Sequence, residues 1–90
     1  MLKYVIEREI PGAGDFTDED LKGISQKSCE VLDTLGTSIQ WIQSYVTADK
    51  IYCVYRAANE DLVQQHANRG GFPANSIAEV RAMIEPATAE

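Results

Sequence analysis

The sequence predicts an α+β domain in which a four-stranded antiparallel sheet carries two helices on one face. Two adjacent runs, residues 39–47 and 50–57, are rich in β-branched and aromatic residues and are separated by a short polar break, which is the pattern of a β-hairpin. A helical repeat of apolar residues precedes this hairpin, and a second repeat follows it. A strand-like run near each end of the chain completes the four strands and two helices.

The first strand is predicted at Lys3–Glu9, and the Pro-Gly segment of residues 11–15 ends it, because proline cannot donate to a ladder. Thr17 is the predicted N-cap of a long helix, since the acidic residues 18–20 complement the positive end of a helix dipole. Apolar residues then recur at helical spacing, and Gly36 is predicted to end the helix.

Strict alternation along the hairpin predicts which side chains share a face. In the first strand, one face is expected to carry Ile39, Trp41, Gln43 and Tyr45, and the other Gln40, Ile42, Ser44 and Val46. In the second strand, Ile51, Cys53, Tyr55 and Ala57 oppose Tyr52, Val54 and Arg56. Neither face is simply polar, whereas a sheet with one wet face alternates more cleanly. Both faces are therefore expected to be covered, one by helices and the other by a second subunit or a ligand.

After the hairpin, Asn59 is the predicted N-cap of a shorter helix that Gly70-Gly71 ends. Alternation predicts a last strand at Ser76–Ile84, and Pro86 stops it. Residues 1–85 are thus one domain, followed by a short tail at residues 86–90. The element order predicts a ferredoxin-like βαββαβ fold with both helices on one face of the sheet.

Composition narrows the classes of function. A chain of 90 residues supports one modest core. Its net charge of −6, without a cluster of basic residues, argues against nucleic-acid binding. No run approaches the roughly 18 apolar residues of a membrane span, and the early charges do not fit a signal peptide. We therefore expect a cytoplasmic protein that binds no membrane and keeps Cys29 and Cys53 as reduced, buried structural thiols.

The helix-free face of the predicted sheet carries apolar residues that this small domain cannot cover with its own chain. An exposed apolar face marks an interaction site, and symmetric homodimers are the commonest solution. The sequence therefore predicts a homodimer that pairs through the helix-free sheet face.

Few residues offer chemistry. His66 is the single histidine, and its place on the inner stripe of the second helix fits a hydrogen-bonded core residue, a metal ligand or a proton shuttle. Glu7 and Glu9 project from one face of the first strand, about 6.6 Å apart at twice the strand rise, so they are either a solvated edge or a pair that shares a divalent cation. The aromatic residues Trp41, Tyr45 and Tyr55 fit core packing or a pocket for a planar ligand.

Three stretches resemble a family of small bacterial proteins. They are residues 5–12 (VIEREIPG), the hairpin motifs WIQSYVT and DKIYCVY at residues 41–47 and 49–55, and residues 59–74 with His66. The similar proteins are short ferredoxin-like domains of the DUF4242 type, a class of unknown function that includes a nickel-binding member. The resemblance implies a homodimer that binds or sequesters Ni²⁺, but it does not fix the ligands. His66, Glu7 and Glu9 are the candidate ligands by residue type. Such a site would be shallow and shared between subunits or with water.

Two other classes of function stay open. Dimeric ferredoxin-like barrels include cofactor-free enzymes and ligand-binding proteins whose pockets lie between sheet and helices, where His66 with Tyr45 or Tyr55 can act as acid and base. A purely structural dimerisation module is the third. The sequence favours a non-catalytic role, and no catalytic residue is predicted.

Overall fold

The elements of the fold follow the order expected from the sequence, and the computed structural model describes all 90 residues. A short 3₁₀ turn, Ala13–Asp15, follows the first strand, and another, Pro86–Ala89, ends the chain. The strands and helices are β1 (Leu2–Glu9), α1 (Asp18–Leu35), β2 (Ile39–Val46), β3 (Lys50–Ala57), α2 (Glu60–Gly70) and β4 (Ser76–Glu79). Neither helix is both long enough and apolar enough to cross a membrane.

Both helices begin at the residues predicted as their caps. Thr17 and Asp20 form a capping box, in which the Thr17 hydroxyl accepts from the Asp20 amide at 3.1 Å and the Asp20 carboxylate accepts from the Thr17 amide at 3.0 Å. The Asn59 side chain accepts from the Leu62 amide at 3.1 Å. At the other end of α2, Gly71 adopts φ 70°, a left-handed conformation that glycine enters without steric cost. The predicted helix boundaries are therefore confirmed at these ends.

The four strands form one antiparallel sheet in the order β2-β3-β1-β4, which confirms the α+β, ferredoxin-like fold. The central strand pair sets Tyr4 opposite Tyr55 and Val5 opposite Val54. Side chains of directly paired residues point to the same side of a sheet. The register therefore assigns each strand residue to the helix-covered face or to the helix-free face.

A β-bulge in β2 corrects the predicted faces of the hairpin. Trp41 pairs with Tyr55 and Gln43 pairs with Val54, so Ile42 is an extra residue without a partner in the ladder. Beyond the bulge the alternation is shifted by one residue, and Ser44, opposite buried Cys53, lies on the helix-covered face. The prediction that Tyr45 shares a face with Trp41 and Tyr55 is therefore wrong.

The last strand is shorter than predicted, because it ends at Glu79 and not at Ile84. Glu79 pairs with Tyr4, near the start of β1, so β1 has only a few residues left for β4 to pair with. The Val80 amide still donates to the Lys3 carbonyl at 2.8 Å, and then the ladder ends. Ile84 lies beyond the reach of the sheet and is 81% exposed.

The core lies between the helices and the face of the sheet that they cover. The buried apolar side chains of β1 and β3 alternate strictly, and they pack with Val63 of α2 and Ile39 of β2. The buried apolar strand residues on this face are Tyr4, Ile6, Ile39, Ile51, Cys53, Tyr55 and Ala57. Both helices thus cover one face, as the sequence predicts.

The opposite, helix-free face carries the alternate side chains of every strand. Its apolar members are half-buried or exposed, and they are flanked by charges of both signs. The register assigns to this face Lys3, Val5, Glu7, Glu9, Gln40, Gln43, Tyr45, Lys50, Tyr52, Val54, Arg56, Ser76 and Ala78. Tyr45 lies on this face and is 54% exposed.

Candidate functional site

His66 is a core residue in this structure. It lies on the inner side of α2, has no exposed surface, and its Nε2 is hydrogen-bonded to the Ser28 hydroxyl of α1 at 3.1 Å. The imidazole stacks on Phe72, with ring centroids 5.6 Å apart, and contacts Tyr55 in a tilted arrangement at 5.1 Å. Its Nδ1 is buried without a hydrogen-bond partner.

The surroundings of His66 favour a neutral imidazole. Burial lowers the pKa of His66 below its ordinary value of 6.5, and the nearby charge of Arg8 lowers it further, whereas the hydrogen bond at Ser28 opposes the shift. Neutral imidazole is the form that binds metals, but the ring nitrogen that has no hydrogen bond is buried in the protein interior.

Arg8 is the least expected residue of the core. It follows Tyr4 and Ile6 on the helix-covered face of β1 and is only 3% exposed. Its Nη1 donates to the Pro73 carbonyl at 2.6 Å, and its Nε approaches the Cys53 sulfur at 3.4 Å. The guanidinium also lies over the Phe72 ring, 5.5 Å from the centroid.

No carboxylate neutralises the Arg8 guanidinium. Both ion pairs of the structure involve other residues, and the Arg8 Nη2 is buried with no hydrogen-bond partner. An arginine keeps its charge in a protein, and taking an unpaired charge out of water costs several kcal/mol. The fold therefore holds a buried, uncompensated cation next to its single histidine.

A cavity of about 320 Å³ adjoins this cation, between α1 and the sheet. Its lining is largely apolar, and Arg8 is the only charged residue in it. Leu21, Ile24, Ser25 and Ser28 contribute from α1 at helical spacing. The other lining residues are Ile10, Trp41, Ser44, Val46, Ile51, Cys53, Tyr55 and Phe72.

The structure separates the two predicted acid–base pairs. Tyr55 lies in the cavity wall beside His66, and burial, the larger cause, together with the Cys53 thiol raises the pKa of Tyr55 above its usual 10.0. Tyr45 lies on the helix-free face, since the bulge at Ile42 shifts it there. A pair of His66 with Tyr45 is therefore excluded, whereas His66 and Tyr55 are in contact.

Glu7 and Glu9 share one face of β1, as the sequence predicts, and the register assigns them to the helix-free face. Lys50 donates to the Glu7 carboxylate at 2.5 Å, and this hydrogen bond, with the charge of Glu7, raises the pKa of Lys50. Glu9 is held at the sheet edge, because its amide donates to the Asn75 side chain at 2.7 Å. Their side chains accordingly sit on the surface, close to a competing ammonium group.

The structure does not bring His66 together with Glu7 and Glu9. The imidazole lies beneath α2 on the helix-covered face, and both carboxylates lie on the other side of the sheet. No three histidine, cysteine, aspartate or glutamate side chains of one subunit are grouped to hold a metal ion. Cys53 is buried, as expected of a structural thiol, whereas the prediction that Cys29 is buried is wrong, because Cys29 is exposed on α1.

Comparison of the sequence with models of known families identifies the family of this chain. A family model described as Nickel responsive protein SCO4226-like matches residues 4–80. This chain belongs to that family. Membership in the SCO4226-like family confirms the predicted relation to small nickel-related proteins, while the DUF4242 label stays a prediction. Among curated proteins, none matches the sequence.

Comparison of this fold with solved structures agrees with the family assignment. SCO4226 from Streptomyces coelicolor A3(2) has a crystal structure that is similar to this chain with a TM-score of 0.76 and 20% sequence identity. The match covers 91% of this chain and 99% of that one. At this identity the likeness establishes the fold and carries no ligand from one protein to the other.

Sequence reasoning missed Arg8 and Ser28 as members of a site. The signal for Arg8 was present, because strict alternation from Tyr4 and Ile6 places it on the covered face. Ser28 stands in the apolar stripe of α1 and is 4% exposed, so its hydroxyl needs a partner, which His66 provides.

Proposed function

We propose that this protein is a cytoplasmic homodimer that binds and sequesters nickel, with Glu7 and Glu9 as carboxylate ligands on the helix-free face. The family match over residues 4–80 carries the proposal. The geometry supports it in two ways: neither helix covers one face of the sheet, and the two carboxylates lie on that face.

The helix-free face has the composition of a pairing surface. Val5 and Val54 are directly paired at its centre and are half-buried, and Tyr52 and Tyr45 extend the apolar strip across the hairpin. Charges of both signs surround this strip. A twofold axis can set opposite charges of two copies against each other, which favours an isologous dimer.

The proposed metal site on this face needs more ligands than one subunit supplies. Glu7 and Glu9 offer carboxylate oxygens, whereas no third metal-ligating side chain of the subunit is grouped with them. Pairing through this face brings a second set of the same carboxylates nearby, and water fills the remaining positions. Nickel accepts such oxygen ligands, although it prefers imidazole.

The dimer is tested by placing a charge at the centre of the strip. Val54→Glu is expected to shift sedimentation at micromolar concentration from about twice the chain mass to the single-chain mass, because an apolar interface does not tolerate an unpaired carboxylate. Gln65→Glu adds the same charge on the exposed side of α2 and should leave the dimer intact. A wild-type chain that sediments as a monomer would refute pairing through this face.

Nickel binding is tested by calorimetric titration. The double variant Glu7→Gln/Glu9→Gln is expected to lose at least about tenfold in affinity for Ni²⁺, since both charged ligands are removed. Lys50→Met should act in the opposite direction, with a gain of about two- to fivefold, because the ammonium that occupies Glu7 is gone.

Two controls make this titration specific. Glu30→Gln/Asp33→Asn removes two exposed carboxylates from α1 and should leave nickel affinity unchanged. His66→Gln should also leave it unchanged, because the imidazole is buried on the other side of the sheet. Equal affinities for the wild type and the Glu7/Glu9 double variant would contradict the proposed ligands. Dimerisation without any nickel binding would leave the purely structural role.

A further inference from the structure

We propose that the cavity between α1 and the sheet binds a small apolar carboxylic acid, whose carboxylate pairs with Arg8. This inference is independent of nickel, because the cavity lies on the helix-covered face and the carboxylates of the proposed metal site lie on the other.

The first argument is the unbalanced charge. Only 3% of the Arg8 surface is exposed, and its Nη2 has no hydrogen-bond partner. Its remaining contacts are the Pro73 carbonyl, the Cys53 sulfur and the Phe72 ring, and none of these is a carboxylate. A buried guanidinium in such surroundings is a preformed receptor for an anion.

The second argument is the space beside it. About 320 Å³ equals the volume of roughly ten water molecules, whereas well-packed interiors contain few voids larger than one water. The size falls at the lower end of the range of ligand pockets, and apolar walls with a few convergent polar groups are their usual lining. The hydroxyl-bearing residues Ser25, Ser28 and Tyr55 provide those polar groups here.

The charge count selects the class of anion. Arg8 is the only charged residue of the lining, and no lysine or second arginine stands with it. His66, which contacts Tyr55 across the wall, is held neutral by burial and adds no charge. One guanidinium balances one carboxylate, whereas a phosphate dianion would leave a negative charge in an apolar cavity. The apolar walls then require an apolar body on the acid.

The cavity also has an entrance. Leu21 and Ile24 of α1 and Val46 of β2 line it and are each partly exposed, so this edge faces solvent. Arg8 is buried at the inner end, beside Pro73 and Phe72. An acid can thus enter with its carboxylate first and leave its apolar end toward the entrance.

The test is an NMR titration of the ¹⁵N-labelled full chain, with EDTA present to remove metal ions. The probes are hexanoate and benzoate, their neutral amides hexanamide and benzamide, and inorganic phosphate. We expect hexanoate and benzoate to shift the backbone amide signals of residues around the cavity. Each acid should bind about 10- to 100-fold more tightly than its neutral amide, hexanamide or benzamide. Phosphate is expected to bind more weakly than either carboxylate.

Two variants locate the interaction. Arg8→Met should abolish the preference for carboxylate over amide, and Arg8→Lys should retain part of it, because the charge remains. Ser25→Leu fills the cavity without touching Arg8 and should block every probe, whereas Gln26→Leu, on the exposed side of the same helix, should not. The leucine variants keep the test decisive if Arg8→Met does not fold.

Several results would overturn the proposal. They are equal affinity for acid and amide, tighter binding of phosphate than of hexanoate, binding that survives Ser25→Leu, and no binding of any probe. A chain that does not bind nickel can still bind these acids. The nickel proposal and the acid-binding proposal can therefore be refuted independently.

Discussion

Replacing Ile6 with alanine is expected to lower the free energy of unfolding by about 2–5 kcal/mol, a large part of the roughly 5–15 kcal/mol that stabilises a typical domain. Ile6 has no exposed surface and lies at the centre of the sheet, between Cys53 of β3 and Ile77 of β4. Removing three of its carbon atoms leaves a cavity that the paired strands on both sides cannot close. Urea unfolding monitored by circular dichroism measures the change.

The matched variant is Val5→Ala, one residue earlier on the same strand. Val5 points to the helix-free face and is half-buried, so its truncation should cost about 1 kcal/mol or less in the monomer. Repeating both measurements at two protein concentrations separates any contribution from dimer dissociation. Similar losses for the two variants at low concentration would contradict the assignment of faces along β1.

Acid is expected to destabilise the fold through His66. Its pKa is lowered by burial, so the unfolded chain takes up a proton near pH 6.5 while the folded protein does so only at lower pH. The contribution of neutral His66 to the free energy of unfolding is thus fully present above about pH 6.5. It is lost as the pH falls through the pKa that His66 has in the folded protein. Over this window the free energy of unfolding should fall by up to about 1.4 kcal/mol per pH unit.

His66→Gln is the variant that isolates this effect. Glutamine does not titrate, and its amide can keep a hydrogen bond to the Ser28 hydroxyl. Urea unfolding from pH 7.5 to pH 5 should show a slope in the wild type that is absent from the variant, while the carboxylates contribute equally to both. Parallel pH profiles for the two proteins would show that the imidazole is protonated in the folded state as readily as in the unfolded chain.

The fold was predictable because its signals are local. The caps at Thr17 and Asn59 bond to backbone amides within three residues, and the two hairpin runs are neighbours in sequence. The end of β4 was not predictable in the same way, because the length of an edge strand depends on how far its partner extends. β1 begins at Leu2, so residues after Glu79 soon have nothing to pair with, whatever their own alternation suggests.

The candidate site was only partly predictable, for a different reason. The sequence places Glu7 and Glu9 on one face correctly, because alternation decides that within one strand. Whether these carboxylates lie near His66 depends on which side of the sheet α2 packs against. Neither a glutamate in a strand nor a histidine in a helix indicates that side. Arg8 was overlooked because a charged residue at the end of a strand is normally solvated, whereas here Phe72 and Pro73 cover it.

The bulge at Ile42 determines where the hairpin can lose a residue. Because Ile42 has no partner in the ladder, deleting it would leave Trp41 opposite Tyr55 and Gln43 opposite Val54, with every side chain on its present face. A deletion of one residue elsewhere in β2 would turn the remainder of the strand over and expose its inner side chains. Sequence alignments with other members of the family should therefore place a single-residue gap in this strand at position 42.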